Sequence, residues 1–189
     1  MALRQTPAER DTVDSAWHEA GHAAAAIALG MPLSSVWVIP ERATVGKMVG
    51  RTQLDAGWLI EAEESDDLRR RLDLQSLAGD VVDMQREATE GPRLDRFGFP
   101  VRRRIFTGAH VLEVHDRYAE PEFRALLADA RALIDTHWPM VETIATALLA
   151  SPDLGLYGKG IPGNVLYRDL GPPPALPAST PGPGSAPGD

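Results

Sequence analysis

The sequence predicts a mainly helical α+β fold, with about five helices and a small antiparallel β element beside a helix that carries two histidines. Apolar residues recur at helical spacing over much of the chain. One short run of β-branched and aromatic residues, Val36-Trp37-Val38-Ile39, is typical of a strand. The 189 residues, 43% hydrophobic and 24% charged, are sufficient for one well-buried domain, which we expect over residues 12–170.

The first predicted helix runs from about Thr12 to Leu29. Polar residues that can cap a helix come first, and a run of strong helix formers follows. Gly30 and then Pro32 are typical of the end of a helix. We expect residues 1–11, which precede this helix, to be flexible.

Two strands are predicted after this helix. The run Val36-Trp37-Val38-Ile39 ends at Pro40, and a second candidate strand runs from about Val45 to Gln53 after a polar turn. Together the two runs predict a small antiparallel element.

Four further helices are predicted from apolar periodicity and from the residues at their ends. They run from about Ser65 to Glu87, from about His110 to Ala119, from Pro121 past Ile134, and from Pro139 to about Ser151. The segment from Arg93 to Phe106 has no helical periodicity and is interpreted as a loop. Residues 171–189 are rich in Pro, Gly, Ala and Ser, and we expect this tail to be disordered because it cannot bury enough apolar surface to offset its ordering entropy.

The most informative motif is His18-Glu19-Ala20-Gly21-His22, which lies inside the first predicted helix. A helix brings residues four apart onto one face, so both imidazoles point towards one spot. A carboxylate between them can take a proton from a metal-bound water, as in the HExxH pattern of zinc peptidases. The spacing therefore predicts a zinc site with His18 and His22 as ligands and Glu19 as the general base. Hydrogen-bonded core histidines are the structural alternative.

Composition limits the partners and the ligands. The formal net charge of -8 and the pI near 5.1 argue against nucleic acid as the main partner. The chain has no cysteine, so any metal must be held by nitrogen and oxygen. No stretch approaches the roughly 20 apolar residues that span a bilayer, and the composition fits a cytoplasmic protein.

Several segments resemble the peptidase domain of the FtsH-type zinc metalloproteases. Trp17 to Ala23 is similar to the zinc helix of that family, and Val36 to Pro40 and then Gly46 are similar to the strands that follow it. Leu77-Ala78-Gly79 and Thr107-Gly108-Ala109 resemble two later segments of the family. The resemblance spans most of the predicted domain and implies a zinc-dependent peptidase.

Proteins of that family also carry a membrane anchor and an ATPase module before the peptidase. Neither fits in the sequence before His18. The segment Gly155 to Gly160 has the wrong glycine spacing for a phosphate-binding loop. We therefore expect no ATP hydrolysis by this chain, and a separate ATPase or unfoldase as a possible partner.

The third zinc ligand has to come from outside the His18–His22 motif. The resemblance implies an Asp at the position that Leu112 occupies, and leucine cannot bind zinc. Asp116 lies one helical turn further on and shares a side of the helix with Leu112, so it is the predicted third ligand. Glu113 and His115 are the alternatives. An ordinary solvated acid beside Arg117 is the structural alternative for Asp116.

The predicted function is zinc-dependent hydrolysis of peptide bonds in flexible or unfolded polypeptide. Glu19 would take a proton from the zinc-bound water and deliver it to the leaving amine. The resemblance implies a substrate that lies extended along an exposed strand edge near Trp37. Two alternatives stay open: an inactive metal-binding or protein-interaction module with the same fold, and a helical binding domain in which the histidine spacing is coincidental.

Overall fold

The computed structural model describes residues 7–40, 48–94, 100–101, 109–152 and 158–170. Seven helices and five strands lie in these ranges. The helices are α1 (Pro7–Ala28), α2 (Ala56–Glu64), α3 (Asp66–Glu90), α4 (Ala109–Arg117), α5 (Glu120–Thr136), α6 (Trp138–Ala150) and α7 (Gly163–Leu170). The strands are β1 (Leu33–Pro40), β2 (Met48–Leu54), β3 (Arg93–Leu94), β4 (Pro100–Val101) and β5 (Lys159–Pro162).

The mainly helical fold with a small antiparallel sheet is confirmed, but the predicted number of about five helices is wrong. The described residues contain two more, α2 and α7. Asp55 caps α2 by accepting hydrogen bonds from the backbone N–H groups of Gly57 and Trp58 at 2.9 and 3.3 Å. α7 begins directly after Pro162, where adjacent proline and glycine indicate a turn in the sequence. None of the described helices is long and apolar enough to cross a membrane.

The predicted boundaries differ from the structure mainly at the two ends of the domain. α1 begins at Pro7, so residues 7–11 are helical, and residues 1–6 lie outside the described residues. At the other end of α1, Gly30 has a φ of 71°, and the Met31 N–H donates to the Ala26 carbonyl oxygen at 2.8 Å. The predicted tail, residues 171–189, lies outside the described residues, as does most of the predicted loop after Leu94.

The main sheet has three antiparallel strands in the order β2-β1-β5. Val36 and Val38 of β1 are buried and pair with Thr52 and Gly50 of β2. Both β1 and β2 pack against α1, and β2 forms an edge of the sheet. The register therefore places Gly50 and Thr52 beside the helix that carries the histidines.

Small residues allow α1 to lie at the centre of the helical layer. Its alanines at 16, 20 and 23–26 have no exposed surface. A methyl group on Gly21 would lie 2.7 Å from Val82 Cγ2 and 2.8 Å from the Ala78 carbonyl oxygen of α3. The backbones of α1 and α3 are therefore in close contact, which the run of alanines in the sequence allows.

A buried aspartate joins α4 to α3. Asp73 accepts a hydrogen bond from Arg117 Nη1 at 2.6 Å and another from the Tyr118 hydroxyl at 2.7 Å. Val111 and Val114 of the same helix are buried. These contacts determine which face of α4 is exposed to solvent.

Candidate metal centre

Two imidazole rings on α1 form the centre of the site. His18 and His22 lie one helical turn apart, and their Nε2 atoms are 3.1 Å from each other. The ring planes are at 83°, so one ring presents its edge to the other. The four-residue spacing brings the two rings to one point, as the sequence predicts.

The Nδ1 atom of each ring lies beside a hydrogen-bond acceptor on α3. His18 Nδ1 is 2.9 Å from Asp83 Oδ2, and His22 Nδ1 is 2.7 Å from the backbone carbonyl oxygen of Gln75. An ionised carboxylate and a carbonyl oxygen can only accept, so each Nδ1 carries a hydrogen and donates it. Helix α3 thus sets the tautomer and the orientation of both rings.

The Nε2 atom of each neutral ring is consequently an acceptor. Two acceptors 3.1 Å apart repel each other unless a proton or a metal ion lies between them. Two zinc–nitrogen bonds of about 2.0–2.1 Å at a tetrahedral angle separate the nitrogens by about 3.3 Å. The donor atoms and their spacing therefore fit a zinc ion.

The electrostatic surroundings favour a positive charge at the same point. Burial lowers the pKa of His18, but the hydrogen bond and charge of Asp83, with the charges of Glu19 and Asp80, outweigh burial and raise this pKa to about 9. The neighbouring carboxylates that favour the imidazolium also favour a divalent cation.

Gly79 of α3 provides space beside the two Nε2 atoms. A methyl group at this position would lie 2.5 Å from His22 Nε2 and 2.8 Å from His18 Nε2. Even alanine would force a ring or the helix to move, because its Cβ is attached directly to the backbone. From the sequence, Gly79 was only part of a segment that resembles the zinc proteases. The structure shows that the absence of a side chain at this position leaves room for both rings.

Glu19 lies between the two histidines in sequence and beside them in space. One of its carboxylate oxygens is within 4.8 Å of a nitrogen of each ring. Thr52 Oγ1 donates to Glu19 Oε2 at 2.7 Å, and a methyl group on Gly50 would overlap the same carboxylate. Burial raises the pKa of Glu19, while His18 and the Thr52 hydrogen bond lower it to a smaller extent. Strand β2 thus orients a carboxylate that can accept a proton.

Two further carboxylates of α3 surround His18. Asp80 and Asp83 are both buried, and a nitrogen of His18 and one oxygen from each lie within 4.8 Å of one another. Neither residue was predicted from the sequence to belong to the site. The sequence does contain a pattern that indicates their role, because two acids three residues apart interrupt the apolar segment 77–83. Acids that are buried with such a segment need a partner.

The structure does not bring the predicted third ligand to the histidines. The side chain of Asp116 is 84% exposed and lies 3.6 Å from His115 Nδ1, and it belongs to neither group of metal-ligating atoms among the described residues. Leu112, which shares its side of α4, is 51% exposed. The alternatives Glu113 and His115 are exposed as well. In the described structure the buried valines of α4, rather than its acids, face the core.

A cleft of about 310 Å³ opens beside the site. Glu19, His22 and residues 50–52 of the edge strand β2 line one side of it. The other side is apolar in part, with Leu59 of α2 and Leu72 of α3. The cleft therefore gives a ligand a route to Glu19 and His22.

The chain has no match among protein-family models or among curated proteins. The resemblance to the FtsH-type zinc proteases accordingly stays a prediction. A functional assignment depends on the geometry of the site.

Proposed function

We propose that this chain is a zinc-dependent metallopeptidase that cleaves flexible or unfolded polypeptide, with Glu19 as the general base. The observation that carries the proposal is the arrangement of His18 and His22, which both donate through Nδ1 and hold their Nε2 atoms 3.1 Å apart beside a buried carboxylate. A core histidine pair can share a proton between its two Nε2 atoms, so the buried Glu19 carboxylate beside the pair is part of the argument. A metal ion between the two nitrogens would account for the converging rings and for the buried carboxylate together.

His18 and His22 would hold the metal, and Glu19 would transfer protons. A zinc ion in this position supplies Lewis acidity, which polarises a peptide carbonyl and lowers the pKa of water. Glu19 takes a proton from the attacking water and delivers it to the leaving amine. The raised pKa of Glu19 suits this role because its carboxylate holds a proton more readily than a solvated one does. Thr52 keeps the carboxylate in position through its hydroxyl group.

The substrate would lie along β2, not along the strand edge near Trp37. Trp37 is on the central strand β1, on the opposite face from Val36 and Val38, and its ring packs over Gly160 of β5. The edge next to Glu19 is β2. An extended peptide added to this edge through backbone hydrogen bonds would pass the cleft, whereas a folded protein could not present its backbone in this way.

A partner protein is needed in this proposal only when the substrate is folded. An edge strand pairs with a chain whose backbone groups are free, so a separate ATPase or unfoldase would have to deliver folded proteins in an unfolded form. Cleavage of unstructured polypeptide needs no such partner.

Cleavage of an unstructured protein by zinc-loaded wild type and Glu19→Gln tests the proposal. Loss of a general base lowers rates by about 10²–10⁴-fold, and we expect a loss in this range with the zinc content unchanged. Glu113→Gln makes the same chemical change on an exposed residue of α4 and should retain full activity.

Equal rates for wild type and Glu19→Gln would rule out the enzymatic function. One bound zinc per chain without turnover that depends on Glu19 would support the inactive metal-binding module instead. Absence of bound zinc would support the other alternative, a helical binding domain in which the spacing of the histidines is coincidental.

A further inference from the structure

We propose that Asp80 of α3 is the third protein ligand of the metal centre. This inference rests on the proposed zinc site and concerns its ligand set. Asp80 is only 2% exposed, and its carboxylate forms a group with His18 and Asp83 in which the ligand atoms lie within 4.8 Å of one another.

The position of Asp80 on α3 places it next to the point where the two rings converge. Asp80 directly follows Gly79, at which a methyl group would lie 2.5 Å from His22 Nε2 and 2.8 Å from His18 Nε2. The side chain of Asp80 therefore begins one peptide unit from the converging nitrogens. The group that contains Asp80 does not include His22, so coordination would require the Asp80 carboxylate to turn towards the two rings about its side-chain torsions.

The other acids around the rings already have different roles. Thr52 donates to the carboxylate of Glu19, the proposed general base, and Gly50 leaves space for that carboxylate. Asp83 accepts from Nδ1 of His18, on the side of the ring away from Nε2, where a carboxylate orients a ligand and does not bind the same metal. Asp80 belongs to the same described group as His18, and its place directly after Gly79 is the reason to infer that it completes the coordination.

The resulting donor set has the composition of a catalytic zinc site. Two imidazoles and one carboxylate leave a fourth position open for water or substrate. Asp80, Asp83 and Glu19 are buried, and a divalent cation stabilises ionised carboxylates near it. A second observation that points to a ligand does not involve Asp80: the two Nε2 atoms converge while both Nδ1 atoms donate elsewhere.

Zinc titration in competition with a chromophoric chelator tests the assignment without any activity assay. The variants are Asp80→Asn and, as a matched control on α4, Asp116→Asn. Loss of a residue that only supports a ligand costs about 10–100-fold in metal affinity, so loss of a direct ligand should lower the affinity by about a hundredfold or more. Asp116→Asn should bind zinc as the wild type does.

Asp80→Cys provides a second test, which distinguishes a metal ligand from a residue that only supports the fold. The chain has no cysteine, so a sulfur-to-cobalt charge-transfer absorption in the cobalt-loaded variant can arise only from position 80. We expect this absorption for Asp80→Cys and none for Asp116→Cys. The test also holds if Asp80→Asn proves unstable.

The two levels of the proposal fail in different ways. Wild type that binds one zinc, loses it in His22→Ala and keeps its affinity in Asp80→Asn would overturn the role of Asp80 and leave the zinc site standing. Absence of the charge-transfer absorption in a metal-loaded Asp80→Cys would do the same. Wild type that binds no zinc would overturn both.

Discussion

Helices α3 and α4 both carry acids that could serve a metal held by α1, but only α3 brings them to the histidines. Gln75, Asp83 and Gly79 of α3 contact the two rings directly. On α4 the corresponding acid, Asp116, is exposed to solvent, together with Leu112.

The difference arises from how each helix packs. α3 lies against α1 across glycine and alanine, so that the short side chain of Asp83 reaches the His18 ring. α4 uses two buried valines and the Asp73 contacts to dock, which turns its polar residues outward. The identity of a ligand thus depends on which helix makes the closest backbone contact with the motif, and spacing within one helix cannot reveal that.

The largest effect is expected where α3 touches both rings. In Gly79→Ala the added methyl group cannot fit beside two Nε2 atoms at 2.5 and 2.8 Å, and we expect zinc affinity to fall by more than about a hundredfold, beyond the loss from a supporting residue. Competition titration with a chelator measures this change. Gly57→Ala makes the same change near the start of α2, and its zinc affinity should be unaffected. Wild-type zinc affinity in Gly79→Ala would show that the metal does not lie between the rings.

The next effect concerns the orientation of His18. Asp83→Asn replaces the carboxylate that holds Nδ1, and we expect zinc affinity to fall by about 10–100-fold, as for other outer carboxylates of histidine ligands. Asp67→Asn, which changes an exposed residue of the same helix, is the control for a general charge effect. Equal losses of zinc affinity in the two variants would mean that Asp83 acts only through net charge. The contrast between α3 and α4 would then not depend on the position of their acids.

The part of the site that sequence could predict is the part that one helix contains. His18, Glu19 and His22 are related by helical geometry alone, so their convergence follows from a spacing of four. Asp83 and Gln75 lie 65 and 53 residues from their histidine partners. Such contacts depend on how helices pack, which no local pattern encodes.

The fold shows the same division between local and long-range information. The apolar periodicity of the long helices predicted α3, α5 and α6, because each buries one face. α2 and α7 are short segments beside glycine or proline, and their helical state depends on local caps and on docking. Asp116 was assigned to the metal because position 112 was assumed to face the site, and the burial of Val111 and Val114 shows that it does not.

A smaller effect is expected at the contact between α3 and α4. We expect it to lower the free energy of unfolding and to leave zinc affinity nearly unchanged. Asp73→Asn weakens the buried acceptor of Arg117 and Tyr118, and we expect a loss of about 1–3 kcal/mol in the free energy of unfolding. Urea unfolding of the metal-free protein measures it. Zinc affinity should stay within about threefold of wild type, since Asp73 contacts neither histidine in the described structure. A loss of zinc affinity as large as that of Asp83→Asn would show that α4 contributes to the site after all.

The smallest effect is expected at the position that sequence analysis assigned to the metal. Asp116→Ala removes a carboxylate that is 84% exposed, so the free energy of unfolding should change by no more than about 0.5 kcal/mol and zinc affinity should stay the same. Leu112→Asp restores an acid where the zinc-protease resemblance implies one, yet position 112 is 51% exposed, so zinc affinity should not rise. One variant removes an acid and the other adds one on the same side of α4. Together they test whether this side of α4 contributes to zinc affinity. A fall in zinc affinity for Asp116→Ala, or a gain for Leu112→Asp, would transfer the missing ligand from α3 to α4 and reverse the comparison.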